Sequence, residues 1–283
     1  MAASLSSPTP PKVPAAGRWY RLRLVGSLRI ERDDHVTIFT LDRPEKKNAY
    51  DDDTMHEIGD AMIAFEADAE QYVGIVTGAG DAFCSGNDLS TPSGGRIRTG
   101  PRRFPLTDMF GFGATTKPMI AAVNGLAVAG GCEIAMACDF RIAADTAWFG
   151  LFEPKRGLVP GAAIQMLPRI LSYGDASWML LTAARVDAAD ALRIGLVQQV
   201  VPAADLMDVA LETARGMCAL SQVSLQMIKQ VLRHHRDLAL KESLDHGAVL
   251  SRLLNLGDDV DEGIAAFREK RDTNFGNRWP DAP

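Results

Sequence analysis

No apolar run in the 283-residue sequence approaches the about 20 residues a membrane-spanning helix needs, so no membrane helix is expected and the chain should be soluble. Cysteine is scarce. Cys84, Cys132, Cys138 and Cys218 lie scattered in apolar or glycine-rich settings, with the spacing of neither a disulfide framework nor a zinc site, which suits a reducing compartment. The five histidines include the adjacent pair His234-His235 but no HExxH or similar helical ligand pair, so no metal is expected. An excess of positive charge is missing too. With 30 basic and 36 acidic residues, a net charge of −6 and a pI near 5.4, the chain does not have the footprint of a nucleic-acid binder. GxGxxG is absent, which removes support for nicotinamide binding. Gly125 and Gly130 have phosphate-loop spacing, but Gly131-Cys132 stand where Lys-Ser/Thr would hold phosphate and metal.

What is present is an ordinary globular composition, 47% hydrophobic and 23% charged, long enough for one large core with a helical appendage. The informative stretch runs from Lys117 to Gly161. Pro118 to Val123 is short, apolar and ends at Asn124-Gly125, a buried strand running into a tight turn. Gly130-Gly131 then open a helix through Cys138. Glycines at a helix N-terminus leave backbone N–H groups bare, and the helix dipole adds positive charge, so a developing oxyanion would be stabilised there. Glu133 and Glu153 sit among apolar residues that should raise their pKa, and a carboxyl titrating near neutrality can both take and give a proton. Spacing alone leaves open a second reading, a dipole-favoured helix glutamate and an unrelated loop glutamate.

The same residues carry a resemblance. The segment is similar to the signature of the enoyl-CoA hydratase/isomerase (crotonase) family, AxNGxAxGGGxELAxxCDxxIA followed by FGxPExxxGxxPGxGGxxRL. Asn124, Gly125, Ala127, Gly130, Gly131, Glu133, Ala135, Cys138, Asp139, Ile142 and Ala143 match the first half, and Phe149, Gly150, Glu153, Gly157, Pro160 and Gly161 the second. Leu151-Phe152 replace a polar residue and a proline, and Ala162 to Met166 replace a more glycine-rich stretch, which bears on substrate identity. LDRPEKKNAY resembles L-N-R-P-x-x-x-N-A-L, AFCSGNDL resembles A-F-x-A-G-x-D-L, and RVDAADALRIGLVQQVVP resembles R-x-x-A-x-x-A-x-x-x-G-L-V-x-x-V-x-P.

Taken in order, residues 1–18 are rich in Pro, Ser and Ala and are expected to be a disordered leader. No acidic residue precedes Glu31 while Arg18, Arg21, Arg23 and Arg29 are present, a transit-peptide composition, but Pro8, Pro10, Pro11 and Pro14 break the helix such a peptide needs. A cytoplasmic location is therefore expected, with an organellar matrix as the lesser alternative. Residues 28–41 alternate as a hairpin turning at Asp33-Asp34, 51–68 carry a helical stripe at Met55, Ile58, Met62 and Phe65, and Val73 to Thr77 is a buried strand. The strand, turn, helix order recurs from Pro118 and from Val197, which suits repeated ββα turns of a superhelix. Helices are expected over 161–171 and 175–182, and from Ala188, capped by Asp187 and stopped by Gly195. Arg96, Arg98, Arg102 and Arg103 lie in a loop best read as solvated, and Phe104, Met109, Phe110 or Phe112 should bound an acyl pocket.

The resemblance implies an α/β, crotonase-like superhelix of repeated ββα units over 19–204, with a C-terminal helical region over 205–283 that packs trimers or dimers of trimers. It implies an acyl-CoA thioester substrate, with coenzyme A as part of that substrate and no permanently bound cofactor. Carried over residue by residue, the backbone N–H groups of Asn87 and Gly130 are the oxyanion donors and Glu133 and Glu153 the catalytic acids. Lys46, Lys47, Ala49, Ser85, Gly86, Asp88, Gly131, Pro160 and Gly161 fall to CoA and substrate binding, as do Phe267 and Lys270 from a neighbouring subunit. Cys84 and Ser85 have no histidine to activate them as nucleophiles. The activity so implied is hydration of a 2-enoyl-CoA. The alternatives are a Δ3,Δ2-enoyl-CoA isomerase or hydroxyacyl-CoA dehydratase and, from another class, a non-catalytic or RNA-associated protein on the same fold.

Overall fold

The computed structural model describes residues 20–23, 26–91 and 104–277; the expected leader and the four loop arginines lie outside them. Three strands, β1 (Tyr20–Arg23), β2 (Leu28–Asp33) and β3 (Val36–Leu41), are joined antiparallel. Asp33 still pairs with Val36, so the turn falls one residue later than expected, on Asp34 with φ 53° and His35. Helix α1 (Asp52–Ala67) is capped by Asp51, whose carboxylate accepts the Thr54 N–H at 3.0 Å, and it buries Ile58, Met62 and Phe65.

Strand pairs then repeat. They are β4 (Val73–Gly78) with β5 (Ala82–Cys84), β6 (Met119–Val123) with β7 (Leu126–Val128), which leads into α2 (Gly130–Ala137), and β8 (Phe140–Ala144) with β9 (Trp148–Gly150). After them come α3 (Ala163–Ile170), α4 (Tyr173–Thr182), β10 (Val186–Asp187), α5 (Ala188–Arg193) and β11 (Gln199–Val201). The chain ends in α6 (Leu206–Cys218), α7 (Gln222–Asp237), α8 (Leu240–Leu254) and α9 (Asp258–Glu269).

In each repeated pair the first strand enters a seven-stranded sheet, ordered β1-β2-β3-β4-β6-β8-β11, and the second a four-stranded sheet, ordered β10-β9-β7-β5. This is one turn of a superhelix per pair. Strands β3, β4 and β6 are buried along their whole length, as parallel strands covered on both faces must be, and α6 lies against β3, β4, β6 and β8. The Asn124 amide ties successive turns together by donating to the carbonyls of Gly78 and Gly80 at 2.9 Å and Ala82 at 3.2 Å. Buried Lys229 anchors α7 to the sheet through Asp139 at 2.8 Å and the Lys117 carbonyl at 2.7 Å.

One local expectation fails. Asp187 stands at the head of α5 but makes no side-chain cap; it pairs with Trp148 in β10, and its carboxylate accepts instead from Arg185 Nε at 2.7 Å. Gly195, at φ +81°, follows the end of that helix as expected.

Candidate active site

The site is built where the small sheet hands the chain to α2. Ala129 enters at φ 52° and ψ −127°, a conformation that favours glycine, and its carbonyl accepts the Glu133 N–H at 3.1 Å to close the first helical turn. Gly130 and Gly131 follow because nothing larger fits. A Cβ on Gly130 would lie 1.9 Å from the Tyr50 hydroxyl oxygen, and one on Gly131 2.0 Å from the Cys84 carbonyl oxygen.

The second wall of the site is the segment after β5. Gly86, at φ +88°, comes so close to the helix that a Cβ there would stand 2.9 Å from the Gly130 nitrogen. Asn87 forms a parallel bridge with Tyr50 in which Tyr50 donates to the Gly86 carbonyl at 2.9 Å and Asp88 donates to the Tyr50 carbonyl at 2.7 Å. Those bonds use the groups flanking Asn87, so its own N–H is turned away from Tyr50. Neither the Asn87 nor the Gly130 N–H is spent on an acceptor among the described residues.

Glu133, in the first turn of α2, is 5% exposed. Its Oε1 accepts the N–H groups of Ala162 at 2.6 Å and Ala163 at 2.8 Å, at the head of α3. Burial pushes its pKa up, and the backbone donors of Ala163, Ala162 and Gly161 oppose that rise. Glu153 opens a short 3-10 turn, Glu153–Arg156, two residues after fully buried Leu151. Its Oε2 is buried without a hydrogen-bond partner among the described residues. Burial first, and then the negative charge of Glu133, push its pKa up to about 7. The two acids therefore feel each other but are held differently: Glu133 has two N–H donors at the head of α3, while one Glu153 oxygen has no partner among the described residues.

The Lys46–Tyr50 and Ser85–Asp88 segments, which hold most of the remaining candidates, are zipped together. Ser85 donates its N–H to the Lys47 carbonyl at 3.0 Å, its hydroxyl bonds the Lys46 carbonyl at 3.2 Å, and the Ala49 carbonyl accepts from Arg43 at 2.8 Å. Buried Asp88 accepts from Lys46 at 2.7 Å and Arg43 at 3.1 Å, and the Lys46 and Ser90 hydrogen bonds hold its carboxyl well below the usual range. Lys47 Nζ is paired with Asp81 at 2.8 Å. Pro160 and Gly161 lead into α3, beside the donors to Glu133. Phe267, 85% exposed, is on α9 and Lys270 caps its end, and no hydrogen bond or ion pair among the described residues joins them to this cluster.

Of the aromatic residues expected at an acyl pocket, Phe112 is fully buried against Phe39 in the core. Phe110 packs edge-on against Tyr50 with ring centroids 4.9 Å apart. The sequence reading passed over Tyr50, Ala162 and Ala163. The one available signal was that Tyr50 stands where L-N-R-P-x-x-x-N-A-L has leucine; backbone donors such as Ala162 and Ala163 leave no mark on residue type.

Comparison with known proteins identifies the family. The sequence matches the enoyl-CoA hydratase/isomerase family over residues 31–278. It is 38% identical over 262 residues to the carnitinyl-CoA dehydratase of Escherichia coli O157:H7, covering 89% of this chain and 99% of that protein. Among solved structures it resembles an enoyl-CoA hydratase from Bacillus anthracis, with a TM-score of 0.82, 28% identity and coverage of 89% and 100% of the two chains. An enoyl-CoA hydratase from Mycobacterium marinum gives a TM-score of 0.82, 31% identity and coverage of 89% and 99%.

Proposed function

Given that the chain belongs to the enoyl-CoA hydratase/isomerase family and has the crotonase fold, we propose that it adds water across the 2,3 double bond of a 2-enoyl-CoA thioester. The observation that carries this reading is the pair of unlike acids, Glu133 buried and Glu153 half-buried. Two carboxylates in electrostatic contact do not both ionise readily, and the charge settles where it is solvated best. Glu133, with its backbone donors, keeps the charge, while Glu153, with a pKa of about 7 and an unpartnered oxygen, keeps the proton.

The thioester oxygen lies between the N–H groups of Asn87 and Gly130 at the positive end of α2, which stabilises the enolate that forms as C3 is attacked. Glu133 takes one proton from water as the hydroxide oxygen bonds to C3. Glu153 delivers its proton to C2, and the proton on Glu133 then replaces it through the shared site. Lys46, Lys47, Ala49, Ser85, Gly86, Asp88, Gly131, Pro160 and Gly161 surround the CoA ester in this reading, which needs no permanently bound cofactor. The two lysines would exchange their carboxylate partners for phosphate.

Exposed Leu240, Leu244, Leu256 and Phe267 on and beside α8 and α9 support a trimer-based assembly, in which Phe267 and Lys270 reach a neighbour's CoA. A cytoplasmic location belongs to the same reading, since the buried cysteines are all unpaired.

A panel of enoyl-CoA esters of graded chain length, with products analysed for added water against a migrated double bond, tests the assignment. An isomerase needs only one carboxylate, so migration without hydration would overturn it. A second reading is favoured by the 38% identity to a carnitinyl-CoA dehydratase: the same two acids run in reverse on a hydroxyacyl-CoA. Comparing initial rates on 3-hydroxyacyl-CoA and 4-hydroxyacyl-type esters with those on the enoyl panel separates the two.

A further inference from the structure

Glu133 has its carboxylate held by two N–H groups at the head of α3, whereas the buried Oε2 of Glu153 has no hydrogen-bond partner among the described residues. Burial raises the Glu153 pKa most, and the first group to oppose that rise is the residue's own peptide N–H. The carboxyl is thus tied to its own backbone, so its aim follows the peptide that joins Phe152 to Glu153. That peptide opens the Glu153–Arg156 turn, with Phe152 at φ −96° and ψ 8°. The family motif has proline here, whose closed ring fixes φ. Phenylalanine has no such closure, and its backbone must be held from outside.

A stack of four side chains holds it. The Phe152 ring folds back over Gly150, where a Cβ would stand 2.6 Å from Phe152 Cζ. It meets the Trp148 ring with centroids 6.0 Å apart and planes inclined at 37°. Lys155 Nζ stands 4.5 Å from the Phe152 centroid, and the Arg185 guanidinium 4.5 Å from that of Trp148. Both ends are anchored in backbone. The Lys155 N–H donates to the Phe152 carbonyl at 3.0 Å, and Trp148 pairs across β9 and β10 with Asp187, whose carboxylate accepts from Arg185 at 2.7 Å. Neither ring is part of the hydrophobic core, so the stack does not serve to fill it. Its contacts are directional and fix the ring in place.

We propose that Phe152 is a positioning residue for Glu153: its ring, locked between Trp148 and Lys155, does for the acid-bearing turn what proline does in the family motif. The inference rests on the acid role given to Glu153 in the preceding reading and adds to it the device that aims the acid. An acid without a hydrogen bond to hold its free oxygen delivers a proton to one carbon only if its backbone does not move.

The test has one readout that needs no turnover. Glu153→Gln should raise Tm at pH 8 and not at pH 4, because it removes a carboxyl that burial penalises when charged. Made in the Phe152→Ala background, the same substitution should raise Tm at pH 8 by about half as much or less, since a loosened turn lets water reach the carboxyl. In the Phe152→Pro background the full gap should return. On crotonyl-CoA, Phe152→Ala should lower kcat about tenfold with KM within about twofold, while Phe152→Pro stays within about threefold of the wild type. Phe152→Leu keeps apolar bulk but not the stack and should show the same losses, so the outcome does not depend on the alanine variant folding. Wild-type kcat in Phe152→Leu, or a full Tm gap in that background, would overturn the inference. So would a Phe152→Pro variant as slow as Phe152→Leu, or a rise in KM alone, which would set the ring against the substrate. A wild type that hydrates no enoyl-CoA would overturn the proposed reaction, and the Tm gaps would still decide whether Phe152 holds Glu153.

Discussion

Glu153→Gln should make the protein more stable at pH 8 and leave its stability unchanged near pH 4, while removing the activity. The Glu153 carboxyl rises from a pKa of 4.5 to about 7 on folding, mainly through burial. Between those values the folded state holds a proton that the unfolded chain has released, so stability falls as pH rises through this window and levels off above about 7. Below 4.5 both states are protonated and the penalty vanishes. A shift of about 2.5 units corresponds to roughly 3.4 kcal/mol at 1.36 kcal/mol per unit. Glu153 retains partial solvent access, and screening brings the expected penalty to about 1–2 kcal/mol. Glutamine carries no charge and no such penalty. At about 2–4 °C per kcal/mol, its Tm should exceed that of the wild type by roughly 2–8 °C at pH 8 and by nothing near pH 4. Thermal unfolding of both proteins at pH 4, 5, 6, 7 and 8 measures the difference, in which other titrating groups cancel. A gap that does not change with pH, or a variant less stable than wild type at pH 8, would refute the idea that burial loads Glu153 with its proton.

Glu133→Gln should keep the fold, since an amide oxygen can still accept from Ala162 and Ala163, yet lower hydration by about 10²-fold or more; near wild-type turnover would remove Glu133 from the mechanism. Gly130→Val should cost on the order of 10²-fold in kcat because its side chain collides with the Tyr50 hydroxyl at the helix head, whereas Asn87→Ala keeps its backbone donor and should cost little. The opposite ranking, with circular dichroism showing both variants folded, would place the chemistry on the Asn87 side chain. Sedimentation at micromolar concentration should show a trimer-based oligomer, and a stable monomer would contradict the role given to the exposed leucines and Phe267.

The parts of the site legible in the sequence were those where residue type records a physical demand. Gly86, Gly130 and Gly131 announce close backbone approaches, and each does meet backbone or a rigid ring where its Cβ would be. The apolar neighbours of Glu133 and Glu153 announced lost solvent, and burial is the leading cause of both raised pKa values. Demands met by backbone groups or by pairing were silent. The donors to Glu133 belong to alanines, whose identity says nothing about their N–H groups. The resemblance gives Lys46 and Lys47 to CoA binding and says nothing of Asp88 and Asp81, far away in sequence, with which they pair. Asp187 reads as a helix cap because the residue type and position are right; a nearby arginine takes its carboxylate instead.

In the proposed reaction, two helix heads would divide the roles of the acids. The head of α3 faces Glu133 and gives it two N–H groups, so its charge is solvated by peptide dipoles in place of water. The head of α2 carries Glu133 in its first turn, and its foremost N–H, that of Gly130, has no acceptor among the described residues. These two demands can be met together only if the chain turns sharply between β7 and α2. Ala129 supplies that turn at φ 52°, held on one side by its N–H to the Gly150 carbonyl at 2.8 Å and on the other by its carbonyl to Glu133 at 3.1 Å. An alanine there carries about 1–3 kcal/mol of strain that glycine would not. The bond to Gly150 also fixes the strand end just before Leu151 and Glu153, so the one strained residue sets the oxyanion donor and both acids in register.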